Sequence, residues 1–171
     1  MLVISSIAIG FALILLLKKT TAPIPMEEDY YAEADSGGGK FEDWELNRFE
    51  EVCRQLLITW GLVVKSYSHP SPKEVEFVAH NPKPIVGGEF IIYGLLAPQG
   101  EVVEANRVMA LSDLVRSERA SKGVFITTGY FSADTAHLLE GAPLELINAK
   151  KLKGLLTTHN LLHLISQPYE K

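Results

Sequence analysis

The stretch KGVFITTGYFS, Lys122 to Ser132, decides how the chain folds. Gly123 to Ile126 is a short apolar run bounded by turn residues, the pattern of a buried core strand. It stops at a polar step, Thr127-Thr128-Gly129, and restarts toward Ser132, just before a helix start. Two hydroxyls and a glycine are thereby delivered to one edge of a sheet. Two readings of that edge stand side by side. Backbone amides of a following helix, capped by Ser132, could hold a phosphate together with Thr127 and Thr128. Alternatively, Thr is a good strand residue and Ser a good cap, and no ligand is needed.

Working outward, EVVEANRVMALSDLVRSERASKG (residues 101–123) predicts a helix with Val108, Leu111, Leu114 and Val115 facing inward. SADTAHLLEGA (132–142) predicts a short helix, LELI (144–147) a strand, and NAKKLKGLL (148–156) a helix with Asn148 as its cap. Upstream, FEDWELNRFEEVCRQLLITWG (41–61) places Leu46, Phe49, Val52, Cys53, Leu56 and Trp60 on one helical face, and Gly61 supplies the stop. LVVKSYS, EVEFVAH and EFIIYGLL then read as a strand and a hairpin, the last two joined by the turn-rich NPKPIVGG (81–88). The predicted order is α, β, β, β, α, β, α, β, α: a mixed α/β domain whose helices can cover both faces of a sheet.

The first forty residues differ in kind. Leu2 to Leu17 carries no charge and ends in Lys18-Lys19. As a helix these sixteen residues span about 24 Å against a hydrocarbon core of about 30 Å, a gap that snorkelling lysines narrow. The lysines follow the apolar run, opposite to a secretory signal, so the expectation is an uncleaved anchor (residues 1–19). The positive-inside rule then puts the N-terminus outside and the domain in the cytoplasm, as a single-pass protein of an inner or plasma membrane. Residues 20–40 carry five carboxylates and a Gly-Gly-Gly run and predict an acidic flexible tether. The globular domain is residues 41–171.

Charge constrains partners. From residue 41 onward, 13 Lys plus Arg stand against 16 Asp plus Glu, a net of −3, so any nucleic-acid binding must come from a local basic patch. The single Cys53 forms no internal disulfide and suits a reducing compartment. His159 and His163 stand four apart, a spacing that can share a metal on a helix, but no third ligand accompanies them. Walker loops, dinucleotide fingerprints, nucleophile elbows and zinc-type cysteine spacings are absent from the sequence.

The leading helix, the meander with its Gly-Gly turn, the long helix ending in SKGVFITTGYFS and the closing LELINAKKLKGLL together resemble the Mrr-like restriction endonuclease domain of the PD-(D/E)xK nuclease superfamily, over about residues 44–156. The resemblance implies a restriction-endonuclease-like mixed sheet flanked by helices, action on or binding to DNA, and Mg²⁺. In that family one carboxylate, then an acid or amide, then a lysine two residues later form the catalytic set. Carried over, the first carboxylate falls on Glu76, with Glu76 as the metal ligand. The second motif falls on Tyr93-Gly94-Leu95, so two of three positions depart from the pattern. A missing pre-organised charge costs on the order of 10² to 10³ in rate. Glu89 and Lys83 are candidates for a displaced site, Glu89 as a second ligand; Lys83, Thr127, Thr128 and Ser132 are the candidate DNA contacts. Three functions follow: a weak or shifted Mg²⁺-dependent endonuclease, an inactive nucleic-acid-binding module using the edge at Thr127 to Ser132, or a membrane-tethered protein-interaction domain using the hairpin face with Tyr93 and Leu95.

Overall fold

The computed structural model describes residues 41, 43–84, 87–98, 100–139 and 141–166. The expected anchor and tether lie outside the described residues. Among the described residues, no helix is long and apolar enough to cross a membrane.

The chain order is α1 (Leu46–Thr59), β1 (Val63–Ser71), β2 (Glu74–Asn81), β3 (Gly88–Leu95), β4 (Val102–Val103), α2 (Ala105–Ser117), β5 (Lys122–Thr127), β6 (Tyr130–Phe131), α3 (Thr135–Leu138), β7 (Leu144–Ile147), α4 (Ala149–Thr158) and α5 (His163–Ser166). Five strands form the main sheet in the order β1-β2-β3-β5-β7. The first three run as an antiparallel meander, and β5 and β7 add to β3 in parallel. The stretch quoted first is thus the strand next to the sheet centre, with the residues from Gly123 to Thr127 all buried, because helices cover both of its faces.

On one face α1 lays Phe49, Val52, Cys53, Leu56 and Leu57 against Val75, Phe77, Ala79, Ile92, Val124 and Ile126, with Leu152 and Leu156 of α4 completing the layer. On the other, Val108, Leu111 and Val115 of α2 meet Ile91, Leu95, Phe125 and Leu146. The i, i+3, i+4, i+7 spacing of α1 makes this possible, and full burial of each such Leu or Phe stabilises by about 1.5–3 kcal/mol. Asn148 caps α4 as expected, its side chain accepting from the Lys151 N–H at 2.9 Å.

Three expectations are corrected. The helix over 101–123 begins only at Ala105, because Val102 and Val103 leave the chain extended and pair in parallel with Tyr130 and Phe131. Val102 and Val103 are β-branched residues, and cross-strand pairing overrides weak helical propensity there. Ser132 does not cap α3 through its side chain: its carbonyl accepts from Thr135 N–H at 3.0 Å and from the Thr135 hydroxyl at 2.7 Å, while its own Oγ is buried without a partner. His159 and His163 do not share a helix, since α4 ends at Thr158 and Asn160 turns left-handed (φ 57°) between them.

Candidate active site

Alternation along β2 sends Val75, Phe77 and Ala79 into the α1 layer and leaves Glu74 and Glu76 on the α2 face. Opposite them on β3, in register, stand Leu95 and Tyr93: Glu74 pairs with Leu95 and Glu76 with Tyr93. Gly94 between them points the other way. A Cβ there would come within 2.8 Å of Val75 and 2.9 Å of Phe49, so α1 rests directly on the β3 backbone and holds the strand end in place.

Glu74, not Glu76, is the hub. Arg107, in the first turn of α2, donates to its Oε1 at 2.7 Å, and the Tyr93 phenol and Ser71 hydroxyl are close enough to favour its charged form. Burial pushes the Glu74 carboxyl up, but the polar groups of Tyr93, Ser71 and Arg107 and the Arg107 charge outweigh it and hold the group below the ordinary carboxylate range. Burial, together with the hydrogen bond to Glu74, pushes the Tyr93 phenol up. Glu76 is near enough to add to that shift through its charge.

Leu95, at the position the resemblance assigns to lysine, is 4% exposed and belongs to the core beneath α2, with Ala97, Val103 and Phe131. In one of the three readings the hairpin face would offer Leu95 to a protein partner; Leu95 is not exposed there, because Ala97 and Val103 of the segment that follows pack with it in the core. The same segment answers the question raised by Thr127-Thr128-Gly129. The Thr128 hydroxyl donates to the Ala97 carbonyl and accepts from the Ala97 N–H, both at 2.9 Å. The Thr127 hydroxyl accepts from Gly129 N–H at 3.0 Å. A Cβ at Gly129 would lie 2.5 Å from the Glu101 carbonyl oxygen, so glycine is required for the loop to approach. These hydroxyls receive the chain's own backbone and are turned inward.

The structure does not bring Glu89 to Glu76. It stands four residues from Tyr93 on the same strand, about 13 Å away at strand rise, pairs with His80 in register and is ion-paired to Lys65 at 2.9 Å. Lys83 is exposed in the β2–β3 turn, its N–H donating to the Asn81 side chain at 3.1 Å, likewise at the far end of the hairpin. Arg107 and Glu74 escaped sequence reasoning. For Glu74 a signal existed, its spacing of two from Glu76; for Arg107, 33 residues away, there was none.

This donor set does not fit a divalent cation held in the family manner. Among the described residues Glu74 and Glu76 are the carboxylates at this strand end, Glu74 is already engaged by Arg107 at 2.7 Å, and no three His, Cys, Asp or Glu side chains converge.

A five-stranded mixed sheet with an antiparallel meander, helices on both faces and paired acidic residues at the strand end defines a restriction-endonuclease-like α/β domain. Residues 41–156 match the restriction endonuclease family model Mrr_cat, and the chain belongs to that family. Among solved structures, it superposes on the DNA modification-dependent restriction endonuclease AspBHI with a TM-score of 0.53 at 14% identity, over 77% of this chain and 38% of that one. It also superposes on the MspJI restriction endonuclease, solved in complex with a 27-mer oligonucleotide, with a TM-score of 0.48 at 15% identity, over 86% of this chain and 39% of that one. The chain thus spans under two fifths of either protein. No protein of curated function matches it by sequence.

Proposed function

We propose that this restriction-endonuclease-like domain engages DNA at a membrane surface without hydrolysing it by the family's metal-and-lysine chemistry. One observation carries the reading: Leu95 is buried core where the family's lysine would stand, while Glu74 beside it is neutralised by Arg107 and held by Tyr93. A group that must stabilise an attacking hydroxide and a pentavalent phosphorane cannot be an enclosed aliphatic side chain. Family membership supports DNA as the partner, and the apolar run Leu2–Leu17 supports attachment to an inner or plasma membrane with the domain in the cytoplasm.

The test is a nicking assay of the full chain on supercoiled plasmid in Mg²⁺ and in Mn²⁺, beside Glu76→Gln, with DNA retention measured in parallel across a salt series. The expected result is no nicking and a retention that weakens steeply with salt. Cleavage abolished by Glu76→Gln would refute the loss of chemistry; retention indifferent to salt, or none, would refute the DNA partner. Attachment is tested separately by alkaline extraction of membranes: the full chain stays with the membrane, and release of the full chain would refute the anchor.

A further inference from the structure

The turn from α1 into β1 leaves apolar side chains in solvent. Ile58 and Val63 are 56% and 57% exposed, and Trp60 between them is half-buried. Gly61 shapes the turn at φ 75°, its N–H donating to the Ile58 carbonyl and the Leu62 N–H to the Leu57 carbonyl, both at 2.9 Å. Leu62 is buried beneath it, so the turn is fixed from within while Ile58 and Val63 stay outside. Apolar side chains grouped in this way mark a contact surface.

The charges around the turn are one-sided. From Gln55 to Lys73 the chain carries no Asp or Glu, in a domain with 16 of them. Glu89, which reaches this corner through His80, the register partner of Val63, is ion-paired to Lys65 at 2.9 Å. Lys83, in the turn just beyond His80, is exposed and has no ion-pair partner among the described residues. The other end of the same strands has carboxylates in excess: Glu74 and Glu76 on β2, with the exposed Glu101 and Glu104 on either side of β4, against Lys73 and Arg107. The stretch of β2 from His80 to Glu74 sets the two ends about 20 Å apart at strand rise.

The length of chain ahead of Phe41 says what can meet this turn. Residues 20–40 extend to at most about 70 Å, whereas α1 covers only about 20 Å between its start, just after Phe41, and Trp60. A bilayer holding Leu2–Leu17 is therefore within reach of the turn, and the surface of the domain decides which face is presented. A surface joined to the same chain is met at high effective concentration. Aliphatic and indole side chains beside a lysine, with no free carboxylate among them, suit the headgroup boundary of an anionic leaflet.

We propose that the turn from α1 into β1 docks on the lipid surface, with Ile58, Trp60 and Val63 entering the headgroup boundary and Lys83 meeting lipid phosphates. This rests on the membrane attachment proposed above and adds an orientation to it: the end that carries Glu74 and Tyr93 stands about 20 Å farther from the bilayer and faces the solution.

The experiment reconstitutes the full chain into vesicles of phosphatidylcholine and phosphatidylglycerol, with and without brominated acyl chains, which quench indoles at the bilayer boundary. Tryptophan emission is read in both; Trp44, the other tryptophan, is buried in the core. Loss of emission in the brominated vesicles is expected, and it should disappear in Trp60→Phe and in the double variant Ile58→Asp with Val63→Asp. Alkaline extraction of the same vesicles separates the docking from the anchor. A chain that alkali leaves in place, with equal emission in both kinds of vesicle, overturns the docking alone and gives the turn to a protein partner instead. Equal quenching of wild type and double variant also overturns it, and release of the chain by alkali overturns anchor and docking together. Should the double variant fail to fold by circular dichroism, the comparison of wild type with Trp60→Phe decides.

Discussion

Replacing Leu95 by alanine tests whether this position is packing or docking surface. The side chain is 4% exposed and sits in the core layer under α2. Truncating an enclosed leucine to alanine removes its transfer free energy and leaves a cavity, about 2–5 kcal/mol together. Taking about 3 kcal/mol, and a shift of about 3–4 °C per kcal/mol for a domain of this size, thermal unfolding should fall by about 10 °C. Leu95→Met conserves volume and should cost less than about 1.5 kcal/mol. Leu95→Lys should do no better than alanine: its stem fits, but its ammonium must leave the apolar layer to reach Glu74, the register partner on β2. Circular dichroism melts of the three variants decide the matter. A Leu95→Ala midpoint within about 2 °C of wild type would mean that Leu95 contributes like a surface residue, and the argument that the lysine site has been absorbed into the core would fail.

Stability should decline in acid partly through two carboxylates, Glu74 and Glu145. Burial pushes Glu145 up, but the hydrogen bond from Lys122 and the charge and hydrogen bond of Lys151 outweigh it, so like Glu74 it titrates below the ordinary value of 4.5. A carboxyl with a lowered folded pKa contributes stability that is full above its unfolded value and is lost as pH falls through the folded one. Urea midpoints for Glu74→Gln and Glu145→Gln should therefore depend less on pH below about 4.5 than wild type, and an unchanged slope in both would refute these assignments. Gly129→Ala should destabilise by about 1–3 kcal/mol, since its Cβ would stand 2.5 Å from the Glu101 carbonyl oxygen; an unchanged melt would show that the loop yields. Cys53 is buried beside Glu50, and both burial and that charge push its thiol up, so a thiol reagent should label it only as fast as the domain opens. Labelling at the rate of a free peptide thiol would contradict its place in the core.

The architecture was more legible than the site. Leu46, Phe49, Val52, Cys53 and Leu56 repeat at helical spacing, and α1 follows, because amphipathic periodicity is local and burial rewards it directly. The buried strand at Gly123 to Ile126 was legible for the same reason. The polarity of Thr127 and Thr128 misled because it says nothing about direction: the hydroxyls face Ala97, some 31 residues back in the chain, and only the tertiary path of the segment from Ala97 to Val103 decides that. Ser132 misled likewise, since a residue suited to capping caps only if a helix begins at the right distance. Arg107 was invisible because an ion pair between a helix and a strand 33 residues apart leaves no spacing to read. Leu95 shows the converse: its mismatch with the lysine was plain, but its burial was not.

The contact at Gly94 also ties the start of the domain to the site. The chain enters the domain through Phe41 and Trp44, whose rings meet edge to face with centroids 4.8 Å apart, and Trp44 in turn meets Phe49 at 6.4 Å. Phe49 bears on the β3 backbone at Gly94, the link between Tyr93 and Leu95. The entry to the domain is therefore packed, ring on ring, down to the peptide unit that joins Tyr93 to Leu95, so a truncation of Phe49 would loosen both the start of the domain and the strand end that carries Tyr93.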